Sequence, residues 1–266
     1  MEACPLCEGR DARPLFEKAG YAYVRCVSCA TVRALAHPDP EAASLEHGES
    51  VAAEEAKAFH PRKQAKYAAL LRRLEPRRRT GRLLDVGCSV GGFLAAARAR
   101  GWRAIGVETE PAATRAASAR GLEVSRARAG ALPFAGKSFD VVRMNAVLEH
   151  LLDPRIAIAE AARVVRAGGA VLALTLSADS WTLRRLGSRW RYLGMGGHVL
   201  VFSRRALLRA FEEAGLRVLR VRTAGVRLAD RARGATRLAE RILDGLARGA
   251  GTGHRIAVEA ERPPPG

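Results

Sequence analysis

The sequence predicts an α/β protein: a doubly wound, mostly parallel sheet of seven strands, preceded by a small zinc ribbon. Three observations predict it. Short apolar runs alternate with helical stretches from residue 62 onward. A glycine-rich turn, LLDVGCSVGGFL over Leu83–Leu94, joins the first of those runs to an Ala-rich helix. Two Cys-x-x-Cys pairs open the chain.

Composition sets the outer limits. A chain of 266 residues, 48% hydrophobic and 27% charged, can fold as one α/β domain with a small appendage. Ala170–Leu176 falls far short of the roughly 20 apolar residues of a membrane span, so no membrane partner is expected. Glu2, Cys4 and Cys7 stand where a signal peptide would be apolar, which predicts a cytoplasmic protein. The net charge of +18 admits a polyanion such as RNA. Yet the basic residues are spread along the chain with few aromatics among them, which fits a compositional bias better than a base-stacking surface.

In the ribbon (residues 1–36), Cys4 and Cys7 form the first pair and Cys26 and Cys29 the second, with eighteen residues between. That spacing suits a tetrahedral site of four thiolates, with a hairpin between the pairs and a strand over Tyr21–Arg25. Four protein ligands leave no open position, so the Zn²⁺ is expected to be structural. Four thiolates and one Zn²⁺ would bring the charge nearer +16. Disulfides are the competing reading, which a cytoplasmic setting disfavours. Cys88, alone in the glycine turn, reads as a small packing side chain.

A linker follows over 37–61, with His37-Pro-Asp-Pro as punctuation and a helix over 41–59 weakened at Gly48 and broken at His60-Pro61. His37, His47 and His60 read as surface histidines. Arg62–Leu74 has the spacing of an amphipathic helix, ended by Pro76 and three arginines.

The main domain is expected over 62–262. Its strands read as Arg82–Val86, Arg103–Glu108, Leu122–Arg126, Val141–Met144, Ala170–Leu176, Leu216–Val221 and Ile256–Ala260. Helices read as Phe93–Arg100, Pro111–Arg120, Ile156–Val165 (capped by Gly168-Gly169) and Arg204–Ala214. Two inserts are expected: 177–198, holding Trp181, Trp190 and Tyr192, and a helical one over 223–254 with apolar positions at Leu238, Ile242 and Leu246. Pro263–Pro265 reads as a tail. Glu108 ends the strand after the glycine turn, 23 residues beyond Asp85, where a carboxylate can accept hydrogen bonds from both hydroxyls of a ribose.

The ordered blocks LLDVGCSVGG, IGVE, ALPFAGKSFDVV, VLEHLLDP, ARVVRAGG and HVLVFS resemble the class I S-adenosylmethionine-dependent methyltransferases. The opening CPLC and CVSC resemble a bacterial subgroup with a zinc ribbon ahead of that domain. The resemblance implies a Rossmann-like methyltransferase fold with S-adenosyl-L-methionine as cofactor. It implies that Asp85 and the backbone of Gly87, Ser89 and Gly91 hold the amino-acid end, Glu108 the ribose and the backbone near Leu132 the adenine. Asn145 would face the methyl-transfer site. Two departures stand out. Ser89 occupies a usual glycine position, and Arg128 falls near a usual acid for the adenine amine, a hydrogen bond that Arg cannot accept. A dinucleotide-binding oxidoreductase is disfavoured, because Gly87, Gly91 and Gly92 do not have G-x-G-x-x-G spacing.

Glu149, His150 and His198 are the candidate general bases, because they follow strands at the carboxyl-end face where such sheets bind ligands. Residues 145–148 read Asn-Ala-Val-Leu, not the Asn-Pro-Pro-aromatic motif of enzymes that methylate base amines. No cysteine follows Cys88 to serve carbon-5 pyrimidine chemistry. A small-molecule or sugar-type acceptor, methylated on oxygen or carbon, is therefore expected. The alternatives are an rRNA or tRNA methyltransferase whose ribbon binds RNA, and a non-catalytic cofactor-binding scaffold. The oligomeric state is left open.

Overall fold

The computed structural model describes residues 3–35, 50–194, 197–225 and 235–264. His37, His47, Gly48 and the first part of the expected 41–59 helix lie outside them, as do Pro265 and the side chains of Leu238 and Ile242.

The ribbon contributes strands β1 (Ala12–Lys18), β2 (Tyr21–Cys26) and β3 (Val32–Ala34). Helices α1 (Val51–Ala58) and α2 (Pro61–Leu74) lead into the main domain. His60 is not merely a surface residue at that junction: its Nδ1 caps α2 by accepting from the Arg62 amide at 3.2 Å, and Pro61 sits where no donor is needed. Then come β4 (Arg82–Val86), α3 (Gly92–Arg98), β5 (Arg103–Glu108), α4 (Pro111–Ala119), β6 (Glu123–Arg126), β7 (Phe139–Asn145), α5 (Pro154–Val164) and β8 (Val165–Leu176). The chain continues through α6 (Trp181–Leu186), β9 (Leu200–Val201), α7 (Arg204–Glu213), β10 (Arg217–Ala224), α8 (Ala235–Gly249) and β11 (Arg255–Glu261). No described helix is long and apolar enough to cross a membrane.

The main sheet has the seven strands that the sequence predicts, in the order β10-β11-β8-β7-β4-β5-β6. Pairs from β8 to β6 are parallel; β11 runs antiparallel to both neighbours. Both faces are covered because alternate residues of β4 point to opposite sides. Leu83 packs with Leu71, Leu74, Phe93 and Trp102, whereas Leu84 packs with Ile158, Ala161 and Phe211. Strand order reverses between β4 and β7. The two loops leaving their carboxyl ends therefore diverge and open a crevice.

Three expectations need correction. Gly168 and Gly169 do not cap the helix before them; they lie inside β8, which begins at Val165. Gly168 turns the chain at φ +69°, and a Cβ on Gly169 would come within 2.8 Å of the Asp140 carbonyl. Glycine here permits a bulged, close strand pairing, with Phe139 opposite Val165 and Val141 opposite Ala170. Second, β10 runs to Ala224, so the helical insert begins later than 223. In α8, Leu246 is exposed and Ala247 is buried, so the face toward the sheet is turned one position from the predicted one.

Third, the ribbon is not a separate appendage. β9, just past the 177–198 insert, pairs antiparallel with β3, Val201 opposite Val32 and Leu200 opposite Arg33. The ribbon sheet is thus β1-β2-β3-β9. Tyr21, Tyr23 and Val32 share a core with Leu176, Leu183, Trp190, Leu193 and Val201. A segment too short to bury a core of its own borrows one from the main domain.

Candidate cofactor and acceptor site

The glycine turn leaves β4 at the crevice. Gly87 has φ +68° and Gly91 φ +81°. A Cβ would come 2.5 Å from Cγ2 of Val147 at Gly87 and 2.3 Å from Cδ1 of Leu122 at Gly91. Both positions therefore require glycine for backbone conformation and for space. Gly91 is also the N-cap of α3. Ser89 adopts φ +50°; its amide donates to Oε2 of Glu108 at 2.8 Å and its hydroxyl donates to Glu54 of α1. α1 lies directly over the turn, since a Cβ on Gly92 would meet Cβ of Ala58 at 2.7 Å.

Glu108 ends β5 beside the turn. Its Oε1 accepts from the amides of Thr109 (2.7 Å) and Glu110 (3.0 Å), and among the described residues Oε2 accepts only from Ser89. Each oxygen can accept twice, so Oε2 keeps capacity for a hydroxyl. A carboxylate aimed by three backbone amides, next to a turn with no room for side chains, fits the ribose and amino-acid end of S-adenosyl-L-methionine.

Asp85 lies near the end of β4, just before the glycine turn. It is 1% exposed and its Oδ1 accepts from Nη1 of Arg143 at 2.6 Å. The two residues stand opposite in the parallel register of β4 and β7. Burial raises the Asp85 pKa, and the Arg143 charge opposes that rise. Arg143 itself stacks 4.3 Å from the ring of Phe93. Oδ2 of Asp85 is buried without a partner among the described residues. It is the Asp85 oxygen that Arg143 leaves unoccupied. The signal for Arg143 was present in the sequence as a charge within the apolar run Val141–Met144.

Leu132 is buried, and its backbone is engaged by α5: its amide donates to Glu160 (2.8 Å) and its carbonyl accepts from Arg163 (3.0 Å). Arg128 is exposed. Asn145 is the last residue of β7, half-buried at the crevice.

A short helical turn, Leu148–His150, follows β7 and brings two acceptor-side candidates, Glu149 and His150, together with the third, His198 of the insert. Ligand atoms of Glu149, His150 and His198 all lie within 4.8 Å of one another. The Val199 amide donates to the Glu149 carbonyl at 2.9 Å, tying the two segments. Glu149 is 2% exposed and accepts from the Thr175 hydroxyl at 2.7 Å; burial raises its pKa. His198 Nδ1 lies 2.7 Å from the Tyr192 carbonyl, which can only accept, so Nδ1 carries the proton and Nε2 a lone pair. Burial, and then the neighbouring His150, push the His198 pKa down to about 4. Trp190 is a core residue, its Nε1 donating to Thr182 at 3.0 Å, while Trp181 is exposed. Tyr192 stacks on His254 at 4.5 Å.

The four ribbon cysteines converge. Cys4 and Cys29 sulfurs are 3.6 Å apart, and Cys7 and Cys26 sulfurs 3.5 Å. A zinc tetrahedron with bonds of about 2.3 Å has edges of about 3.8 Å. The two knuckles share one turn: Glu8 (φ 61°) donates to the Cys4 carbonyl as Ala30 (φ 64°) does to that of Cys26. Donor set and spacing both fit Zn²⁺.

An acid-tipped strand beside a glycine turn, in this strand order, defines a class I methyltransferase-type domain. The chain belongs to the methyltransferase domain family, which it matches over residues 59–221. It is 34% identical over 128 residues to the ubiquinone biosynthesis O-methyltransferase of Cereibacter sphaeroides, covering 44% of this chain and 51% of that one. It is 35% identical over 147 residues to the malonyl-[acyl-carrier protein] O-methyltransferase of Enterobacter lignolyticus, covering 52% and 55%. The chain thus spans about half the length of these curated relatives. Among solved structures, its fold is similar to a chain from the complex of the Haloferax volcanii Trm112 methyltransferase activator with a methyltransferase (TM-score 0.61, 21% identity, 86% of this chain and all of that one). It is also similar to geranyl diphosphate methyltransferase bound to substrate and sinefungin (TM-score 0.56, 21% identity, 75% and 78%).

Proposed function

We propose that this protein is an S-adenosyl-L-methionine-dependent methyltransferase acting on a small-molecule or sugar-type acceptor, by O- or C-methylation. One observation carries the reading. The Glu108 and glycine-turn cradle and the Glu149, His150 and His198 group sit at carboxyl ends of adjoining strands, on either side of the crevice.

When bound, the cofactor supplies an electrophilic methyl group. Glu108 holds the ribose hydroxyls. Oδ2 of Asp85 would receive the amino group, while Arg143 fixes the other oxygen. Gly87 and Gly91 let the backbone approach. On the acceptor side, His198 is neutral across the working pH range and presents Nε2, and Glu149 and His150 lie beside it, so an acceptor hydroxyl or acidic carbon finds a proton acceptor there. In-line transfer needs the acceptor aligned and water excluded, and the insert over the crevice serves both. The cysteine cluster would hold a structural Zn²⁺. The embedded ribbon, which shares its core with Trp190 and Leu193, supports a scaffolding role over an RNA-binding arm. The two O-methyltransferase relatives support the acceptor class.

The test is incubation with methyl-labelled cofactor and a cell extract, followed by fractionation. Label in small molecules is expected, reduced in His198→Ala and in Glu149→Gln with affinity for S-adenosylhomocysteine retained. Label confined to RNA would overturn the acceptor assignment.

A further inference from the structure

We propose that Glu149, His150 and His198 form a second metal site, distinct from the ribbon, which holds a divalent cation in the acceptor crevice. Three ligands suited to a borderline cation, two imidazoles and a carboxylate, converge from two segments, with ligand atoms all within 4.8 Å of one another. Two of them are already aimed by outer partners, as metal ligands are. Thr175 donates to one oxygen of Glu149, and Nδ1 of His198 donates to the Tyr192 carbonyl, which leaves Nε2 with a lone pair. The Val199 to Glu149 backbone bond fixes the two segments against each other.

A second observation points to a ligand. Glu149 is a carboxylate at 2% exposure, and among the described residues no arginine or lysine forms an ion pair with it; its one side-chain hydrogen-bond partner is a neutral hydroxyl. His150 and Arg255 act on it only through space, and a buried carboxylate without a directly paired charge is costly, so a bound cation supplies the missing pair. His150 is exposed, so the ligand set can be reached from solvent. Its ring centroid is 4.7 Å from that of His198. Two imidazoles and one carboxylate occupy one side of a cation and leave the other side open. The open side faces the acceptor, so the site deepens the reading above by naming the acceptor's chemical class: a molecule with paired oxygens, such as a vicinal diol or an α-hydroxy carbonyl, which chelates the cation.

The experiment uses the full chain with its ribbon loaded with zinc, titrated with Co²⁺ as probe. The expected result is one equivalent of cobalt with weak visible bands of nitrogen and oxygen ligands and no thiolate charge-transfer band, which separates it from exchange into the ribbon. His198→Ala and Glu149→Gln each weaken it by about tenfold or more. Because a variant can misfold, imidazole proton resonances of the unaltered protein provide a second readout, and those of His150 and His198 shift strongly with Co²⁺. Cobalt bound only with thiolate bands, or a site indifferent to both substitutions with unshifted imidazoles, overturns the proposal. Affinity for S-adenosylhomocysteine, measured in parallel, reports on the methyltransferase reading separately.

Discussion

The Tyr23 phenol, in the middle of the ribbon, donates a 3.1 Å hydrogen bond to the His198 carbonyl and accepts one of 2.9 Å from the Gly194 amide. Burial pushes its pKa up to about 12, so it remains a donor throughout the working range. One ribbon side chain therefore holds both ends of the loop that carries His198. Tyr23→Phe removes both bonds, each worth about 1 kcal/mol. Amide exchange at Gly194 and Val199 should quicken by about tenfold, with affinity for S-adenosylhomocysteine unchanged. Unchanged exchange would mean that the ribbon does not brace the loop.

Zinc removal should act through the same contact. Cys26 ends β2, three residues after Tyr23, and β3 carries the pairing to β9. Chelation under reducing conditions should release one zinc per chain and make the Trp181–Val201 segment protease-sensitive. A segment equally resistant with and without metal would argue against that link.

Cofactor affinity should depend on Glu108 and on the glycines. Glu108→Ala is expected to weaken binding of S-adenosylhomocysteine by at least about tenfold, or about 1.4 kcal/mol. Gly91→Ala should do the same while lowering stability, since the added methyl meets Leu122 at a positive φ. Calorimetry separates the two effects from simple unfolding.

The Arg143 and Asp85 pair makes a different prediction. Arg143→Met leaves a buried carboxylate without its countercharge and should cost about 3 kcal/mol or more. The double variant Asp85→Asn with Arg143→Met should recover much of that stability while still binding cofactor poorly. A double variant no more stable than Arg143→Met would show that the arginine's packing on Phe93 matters more than its charge.

Asp140 sets the acid limit of the fold. Its Oδ2 accepts from the amides of Arg79, Thr80 and Gly81 at 2.7–2.9 Å, and Oδ1 pairs with Arg166. Burial would raise its pKa, but these donors outweigh burial and hold the carboxyl below its ordinary value. A depressed folded-state pKa contributes stability fully above the unfolded value, near about 4, and that stability fades as pH falls through the folded value. Asp140→Asn should therefore cost about 2 kcal/mol at pH 7 in urea unfolding, and the gap from the unaltered protein should close below about pH 4. A gap independent of pH would place the effect elsewhere.

Several features were legible in the chain because they are local. Gly87 and Gly91 mark a turn that needs positive φ, Glu108 marks a strand tip at fixed distance, and Cys4, Cys7, Cys26 and Cys29 mark a tetrahedron by spacing alone. Strand and helix periods gave the order of the sheet's elements. The contacts that close the site were not legible, because they join distant positions and depend on register. Arg143 meets Asp85 only because β4 and β7 pair with those residues opposite. Gly168 and Gly169 look like a helix stop until the bulge against Asp140 is seen. The sequence placed His198 near the acceptor by strand order, but only tertiary structure joined it to Glu149 and His150, and to Tyr23 at 175 residues' separation. Periodicity and spacing specify elements and their local chemistry; which side chains meet is decided by the packing of those elements, a property of the whole chain.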